Sequence, residues 1–176
     1  GPALGRINLR VLVVGSGGSG APNADLIAEV LNSKGFEAEW TDEVRHPELS
    51  YVRSFKIVYG IYFQTCIRYV AMAELLRKKT VLHFVGSDAY WYAREKSASR
   101  RIFWHFVVSH ASRVFYVSPH LEAMVGRDGA FVPFPIETEQ FRRAAQDQRK
   151  PDRDVLYYCP SGEINEKIYR LSWILD

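Results

Sequence analysis

Sulfur chemistry is almost missing from this chain: 176 residues hold two cysteines, Cys66 and Cys159, and two methionines. The cysteines lie far apart and match no metal-binding or redox spacing. Each is expected to act as a small buried hydrophobe in a reducing, cytoplasmic compartment. Charge of one sign is also scarce. Twenty-three Lys and Arg face twenty Asp and Glu, a net +3, too mild a balance to argue for nucleic acid as a partner. No apolar run approaches the roughly 20 residues of a membrane span, and no secretory leader is visible. The opening Gly1-Pro2 reads as a protease scar and is set aside. Internal repeats and low-complexity tracts are lacking as well.

What is present is the composition of one globular core with a short extra piece, 47% hydrophobic and 24% charged. Residues 9–14 (LRVLVV) form a continuous apolar run, as expected of a parallel strand buried on both faces. Residues 24–31 carry Ile27, Val30 and Leu31 at helical spacing, closed by Lys34-Gly35. Further strands are predicted over 36–40, near a sheet edge, and over 56–62, 80–85, 113–117 and 130–132. Helices are predicted over 64–78, 89–111 with a break near 96–99, and 119–125. The basic cluster Arg77, Lys78 and Lys79 is expected to complement the end of its helix. Residues 46–53 read as a loop or short turn. Strand and helix alternate, so the class is α/β: a Rossmann-like, mainly parallel sheet flanked by helices. Residues 142–154 are polar and read as a linker between a domain over 3–141 and a new β-α unit over 155–176. The chain stops inside an apolar, helix-like pattern at Leu171–Asp176, which predicts that this second domain is truncated.

Gly15, Ser16, Gly17, Gly18, Ser19 and Gly20 satisfy G-x-G-x-x-G between a buried strand and a helix. Such a loop brings backbone N–H groups to a phosphate at a helix N-terminus. Glu39 lies about 20 residues on, where a dinucleotide fold would hold ribose. The plainer alternative is a turn whose glycines allow tight strand–helix packing. His83-Phe84-Val85-Gly86-Ser87-Asp88 closes the fourth predicted strand, at the end where open α/β sheets bind ligands. His83 and Asp88 there could act on a sugar hydroxyl or a phosphate. Equally, Asp88 could cap the next helix, and His83 could be buried and satisfied.

HFVGSD resembles the H-x-x-G-S-D segment of family-4-type glycosyltransferases with the GT-B fold. Residues 117–121 (VSPHL) resemble their strand followed by VS-x-x-L. Residues 132–141 (VPFPIETEQF) resemble their P-N-G-I-D-x-x-x-F element, with Phe-Pro for Asn-Gly and Glu137 for Asp. The glycine-rich loop falls where that family keeps its own. The resemblance implies an enzyme of two facing Rossmann-like domains that transfers a sugar from a nucleotide-sugar donor to an acceptor hydroxyl. It implies retention of configuration and neither metal nor cofactor. By that resemblance residues 3–141 are the acceptor-side half, and 155–176 begin the donor-binding half, most of which is missing. Asp88 and His83 are the implied catalytic pair, Gly15 to Gly20 the implied loop for donor phosphate and acceptor. Ser87, Tyr90, Trp91 and Ser118 are implied sugar or acceptor contacts, and Ser161, Gly162 and Lys167 a weak diphosphate site. Glu163 stands where many members carry Arg, and a carboxylate holds a diphosphate poorly. The chain alone is therefore expected to be inactive.

Residues 90–106 crowd Tyr90, Trp91, Tyr92, Arg94, Lys96, Arg100, Arg101, Phe103, Trp104, His105 and Phe106. A partly buried helix with a solvated basic face explains them. Contact with a membrane surface, the inner membrane and a lipid-linked acceptor, is the alternative. Two other functions stay open: an NAD(P)-binding Rossmann domain, and a sugar- or nucleotide-binding module without catalysis.

Overall fold

The computed structural model describes residues 9–15, 24–42 and 46–134. Six strands alternate with helices: β1 (Arg10–Val14), α1 (Ala24–Ser33), β2 (Glu37–Thr41), α2 (Leu49–Arg53), β3 (Ile57–Ile61), α3 (Phe63–Leu75) and β4 (Lys79–Phe84). The chain continues through α4 (Ser87–Ala93), α5 (Ala98–His110), β5 (Arg113–Tyr116), α6 (His120–Val125) and β6 (Ala130–Phe131). The strands form one sheet in the order β2-β1-β3-β4-β5-β6, and every pair is parallel. The expected α/β class, a Rossmann-like parallel sheet flanked by helices, is what the chain adopts. The proposed linker at 142–154 and the unit at 155–176 lie outside the described residues.

Side chains alternate across the sheet and divide the core in two. Leu12, Val14, Val58, Leu82, Phe84, Val114 and Tyr116 meet buried residues of α2, α3, α4, α5 and α6 on one face. Val11, Val13 and Ile61 meet Ala24, Ile27 and Ala28 on the other. Among the described residues, α1 is the one helix burying side chains in that second cluster. At the centre of the larger core Phe63 stacks on Phe84 at 5.4 Å, with Trp104 and Tyr92 edge-on to it. Burying each such ring contributes roughly 1.5–3 kcal/mol.

Gly60 lets α3 approach β3. A Cβ there would stand 2.5 Å from Cys66 Sγ and 2.9 Å from Val70. Cys66 is buried and free of disulfide, as its sequence context predicts. Burial pushes its thiol up, which keeps it inert.

Two local expectations are corrected. Residues 49–53 form a helix rather than a loop, because Val52 and the following Phe55 are drawn wholly into the core. The cluster Arg77–Lys79 does not complement the end of α3. That helix stops at Leu75, Arg77 turns left-handed (φ 54°), and Lys78 Nζ instead donates to the carbonyl of Arg53.

Candidate functional site at the carboxyl edge of the sheet

A parallel sheet gathers the residues that follow each strand along one edge. The strand order reverses between β1 and β3, so their outgoing connections diverge there and leave a crevice, the usual ligand position in open α/β sheets. Gly15 leaves β1 at this point. Its N–H donates to the carbonyl of Thr41 (3.1 Å), and a Cβ on it would meet Ile61 at 3.2 Å and Ala24 at 3.4 Å. The remainder of the glycine loop, Ser16, Gly17, Gly18, Ser19 and Gly20, lies outside the described residues, as do Ser161, Gly162 and Lys167.

β3 ends in a strained turn. Tyr62 holds φ 61° and ψ 93°, a conformation rare for a side-chain-bearing residue. The turn is locked from β4. The Tyr62 hydroxyl and Ser87 Oγ share a hydrogen bond of 2.8 Å. The Gln64 amide donates to the carbonyl of Asp88 (3.2 Å), while its Oε1 is buried without a partner among the described residues.

Asp88 is fully buried. Its Oδ2 accepts from the amide of Phe63 at 3.0 Å, and its Oδ1 accepts from Val85, Gly86 and Ala89 at 3.0, 2.9 and 3.0 Å. Burial pushes its carboxyl up, and the four N–H donors pull the other way. Four donors and no acceptor leave a carboxyl proton nowhere to go, so the ionised form fits the pocket. Asp88 thus caps α3 from a neighbouring turn and closes its own turn at Gly86, whose φ of 142° suits glycine. The expected cap of the following helix is replaced: Asp88 lies within the first turn of α4, whose N-cap is Gly86, and the helix it caps is α3.

His83 points to the opposite face. Its Nε2 lies 2.9 Å from the carbonyl oxygen of Val132, and its Nδ1 lies 2.7 Å from the Tyr59 hydroxyl. A carbonyl only accepts, so Nε2 carries the proton and Nδ1 accepts from Tyr59. The ring stacks on Phe134 at 4.4 Å. Burial pulls the imidazole down to about 4, although the Val132 carbonyl favours the charged form. It is neutral at pH 7, with both nitrogens engaged. The two residues of the implied catalytic pair lie on opposite faces of the sheet, each held by its own partners.

The other expected contacts sit along the same edge. Tyr90 is half-buried beneath the Arg94 guanidinium, 4.3 Å from its ring centre, while Trp91 is exposed. Ser118 follows β5 and bonds His120 Nδ1 at 2.7 Å, starting α6. Glu39 is corrected too. It pairs with Leu12 in mid-strand, and Arg10 holds its carboxylate at 2.5 Å, so it does not reach the crevice. Asp42 follows the end of β2 on this carboxyl edge, and its Oδ1 is buried with no hydrogen-bond partner among the described residues. Counting about 20 residues from the glycine loop finds either acid; the strand end, which chooses between them, is set by the sheet.

No protein-family model matches the chain, and no curated protein matches it. Among solved structures, an oxidised flavodoxin 1 from Bacillus cereus is similar at TM-score 0.41 and 16% identity, over 78% of this chain and 92% of that one. That likeness is too distant to bear on function.

Proposed function

We propose that this chain is the acceptor-side domain of a nucleotide-sugar glycosyltransferase of the GT-B kind, with its ligand crevice at the carboxyl ends of β2, β1 and β3. The observation that supports it is that Gly15, Tyr62 and Ser87 follow the adjacent strands β1, β3 and β4 at the carboxyl edge, where the order reverses between β1 and β3 and Tyr62 is bonded to Ser87. The motifs resembling that family supply the reaction class: the acceptor oxygen bonds the sugar's anomeric carbon as the bond to the diphosphate breaks, and the acceptor's hydroxyl proton leaves on the departing diphosphate. In this reading Ser87 and Tyr62 orient the acceptor hydroxyl, and Tyr90 and Trp91 offer ring faces to a sugar. Asp88 and His83 hold the walls rather than move protons. Transfer requires a facing donor domain.

Titrating the longest natural form of the chain with UDP-, GDP- and ADP-sugars and with NAD tests this. Binding of one nucleotide sugar, with NAD silent, supports the reading; silence of every sugar nucleotide overturns it. One observation favours a second reading. Asp42 stands where a ribose diol is held in dinucleotide folds, so NAD binding lost in Asp42→Asn would favour a dinucleotide domain.

A further inference from the structure

Half of α5 belongs to the core. Trp104, Val107 and Val108 pack inward. At about 100° per residue, Ile102 and Phe106 then project directly away. Phe103 lies along one flank, Arg101 and His105 along the other, and Arg100 falls on the side of Trp104 near the start of the helix. Ile102 is 71% exposed, Phe106 45% and Phe103 43%. An apolar ridge on the outside of a folded domain is a contact surface awaiting its partner.

Charge narrows the choice of partner. From Lys96 to Leu121 the sequence holds no Asp or Glu, and its cations are Lys96, Arg100, Arg101 and Arg113. Arg100 pairs with Glu95 at 3.3 Å, while Lys96 and Arg101 are exposed. Beside Arg101 and Ile102 an open cavity of about 500 Å³ extends to Tyr92 and Met124. A second copy, meeting the same patch across a two-fold axis, would set these cations against each other. Nucleic acid would take the cations and leave Ile102 and Phe106 in water. A surface apolar within and anionic at its rim satisfies both.

We propose that α5 seats the protein on an anionic lipid bilayer, with Ile102, Phe103 and Phe106 at the acyl boundary and Lys96 and Arg101 on the headgroups. This does not depend on the reaction the crevice serves. The test is sedimentation of the full chain with phosphatidylcholine vesicles, with and without phosphatidylglycerol. Binding is expected to the anionic vesicles alone, and to fall as salt rises. Each cation removed should weaken it about fivefold, so Lys96→Ala with Arg101→Ala should cost about 25-fold. The pair Lys34→Ala and Lys56→Ala, the same charge removed elsewhere, should change it less than about twofold. Ile102→Ser with Phe106→Ser should weaken it at least about tenfold. In a Phe106→Trp variant, lipids brominated on their acyl chains should quench the added tryptophan's fluorescence. Failure to bind anionic vesicles at low salt, equal loss in the Lys34/Lys56 control, or no quenching on binding would overturn the proposal. So would a dimer that Ile102→Ser and Phe106→Ser convert to monomer.

Discussion

Acidifying the protein should expose what His83 does. Unfolded, its imidazole titrates near 6.5; folded, it titrates near 4, because burial disfavours the cation. Between those values the unfolded chain binds the extra proton, so the stability His83 contributes is complete above about pH 7 and is lost as the pH falls. With these two values the loss is about 2 kcal/mol from pH 7 to pH 5, and about 3 kcal/mol by pH 4. Carboxylates titrate in the same range, so the wild type must be compared with His83→Gln. Glutamine can accept from Tyr59 and donate to Val132, but it does not titrate and loses the stack on Phe134. At pH 7 the variant should be less stable by roughly 1–2 kcal/mol. Urea unfolding at pH 7, 6 and 5 should show that gap closing or reversing, a change of about 2 kcal/mol, since only the wild type carries the His83 contribution. A gap that stays constant with pH would mean that His83 titrates normally in the folded chain, and the buried, doubly bonded imidazole would be refuted.

Three further outcomes follow from the geometry. Gly60→Ala places a methyl 2.5 Å from Cys66 Sγ and should lower the urea midpoint by the equivalent of about 1–3 kcal/mol. Asp88→Asn keeps the shape but turns an NH2 group toward backbone N–H donors, and should cost at least about 2 kcal/mol in thermal unfolding. Asp42→Asn replaces a carboxylate, whose buried Oδ1 has no partner among the described residues, with a neutral amide. It should leave thermal stability nearly unchanged while weakening any nucleotide held through its ribose, read by calorimetry.

The strands were legible because a sheet buried on both faces needs continuous apolar runs, and residues 9–14, 56–62 and 80–85 supply them. The order of the strands was not, since those runs carry no information on which neighbour each takes. That order separates Glu39, held in mid-strand by Arg10, from Asp42 at the crevice. The helix at 49–53 escaped notice because its five residues are too few to show a period. The HFVGSD turn was recognised as special, but two chemistries fit it equally from sequence. Distinguishing them took the Phe63 amide and the Val132 carbonyl, contributed from 25 and 49 residues away. Tyr62 carries no signal in its type, and its left-handed backbone follows from the lock to Ser87 and β4.

The central claim is that ligand binds at the carboxyl ends of β2, β1 and β3. Amide hydrogen exchange in the longest natural form of the chain, with and without a saturating nucleotide sugar, tests it most directly. The account predicts added protection at Thr41–Asp42, Tyr62–Gln64 and Gly86–Asp88, and none at the opposite edge around Arg10, Lys56 and Lys79. Protection confined to that opposite edge, or to α5, would contradict it.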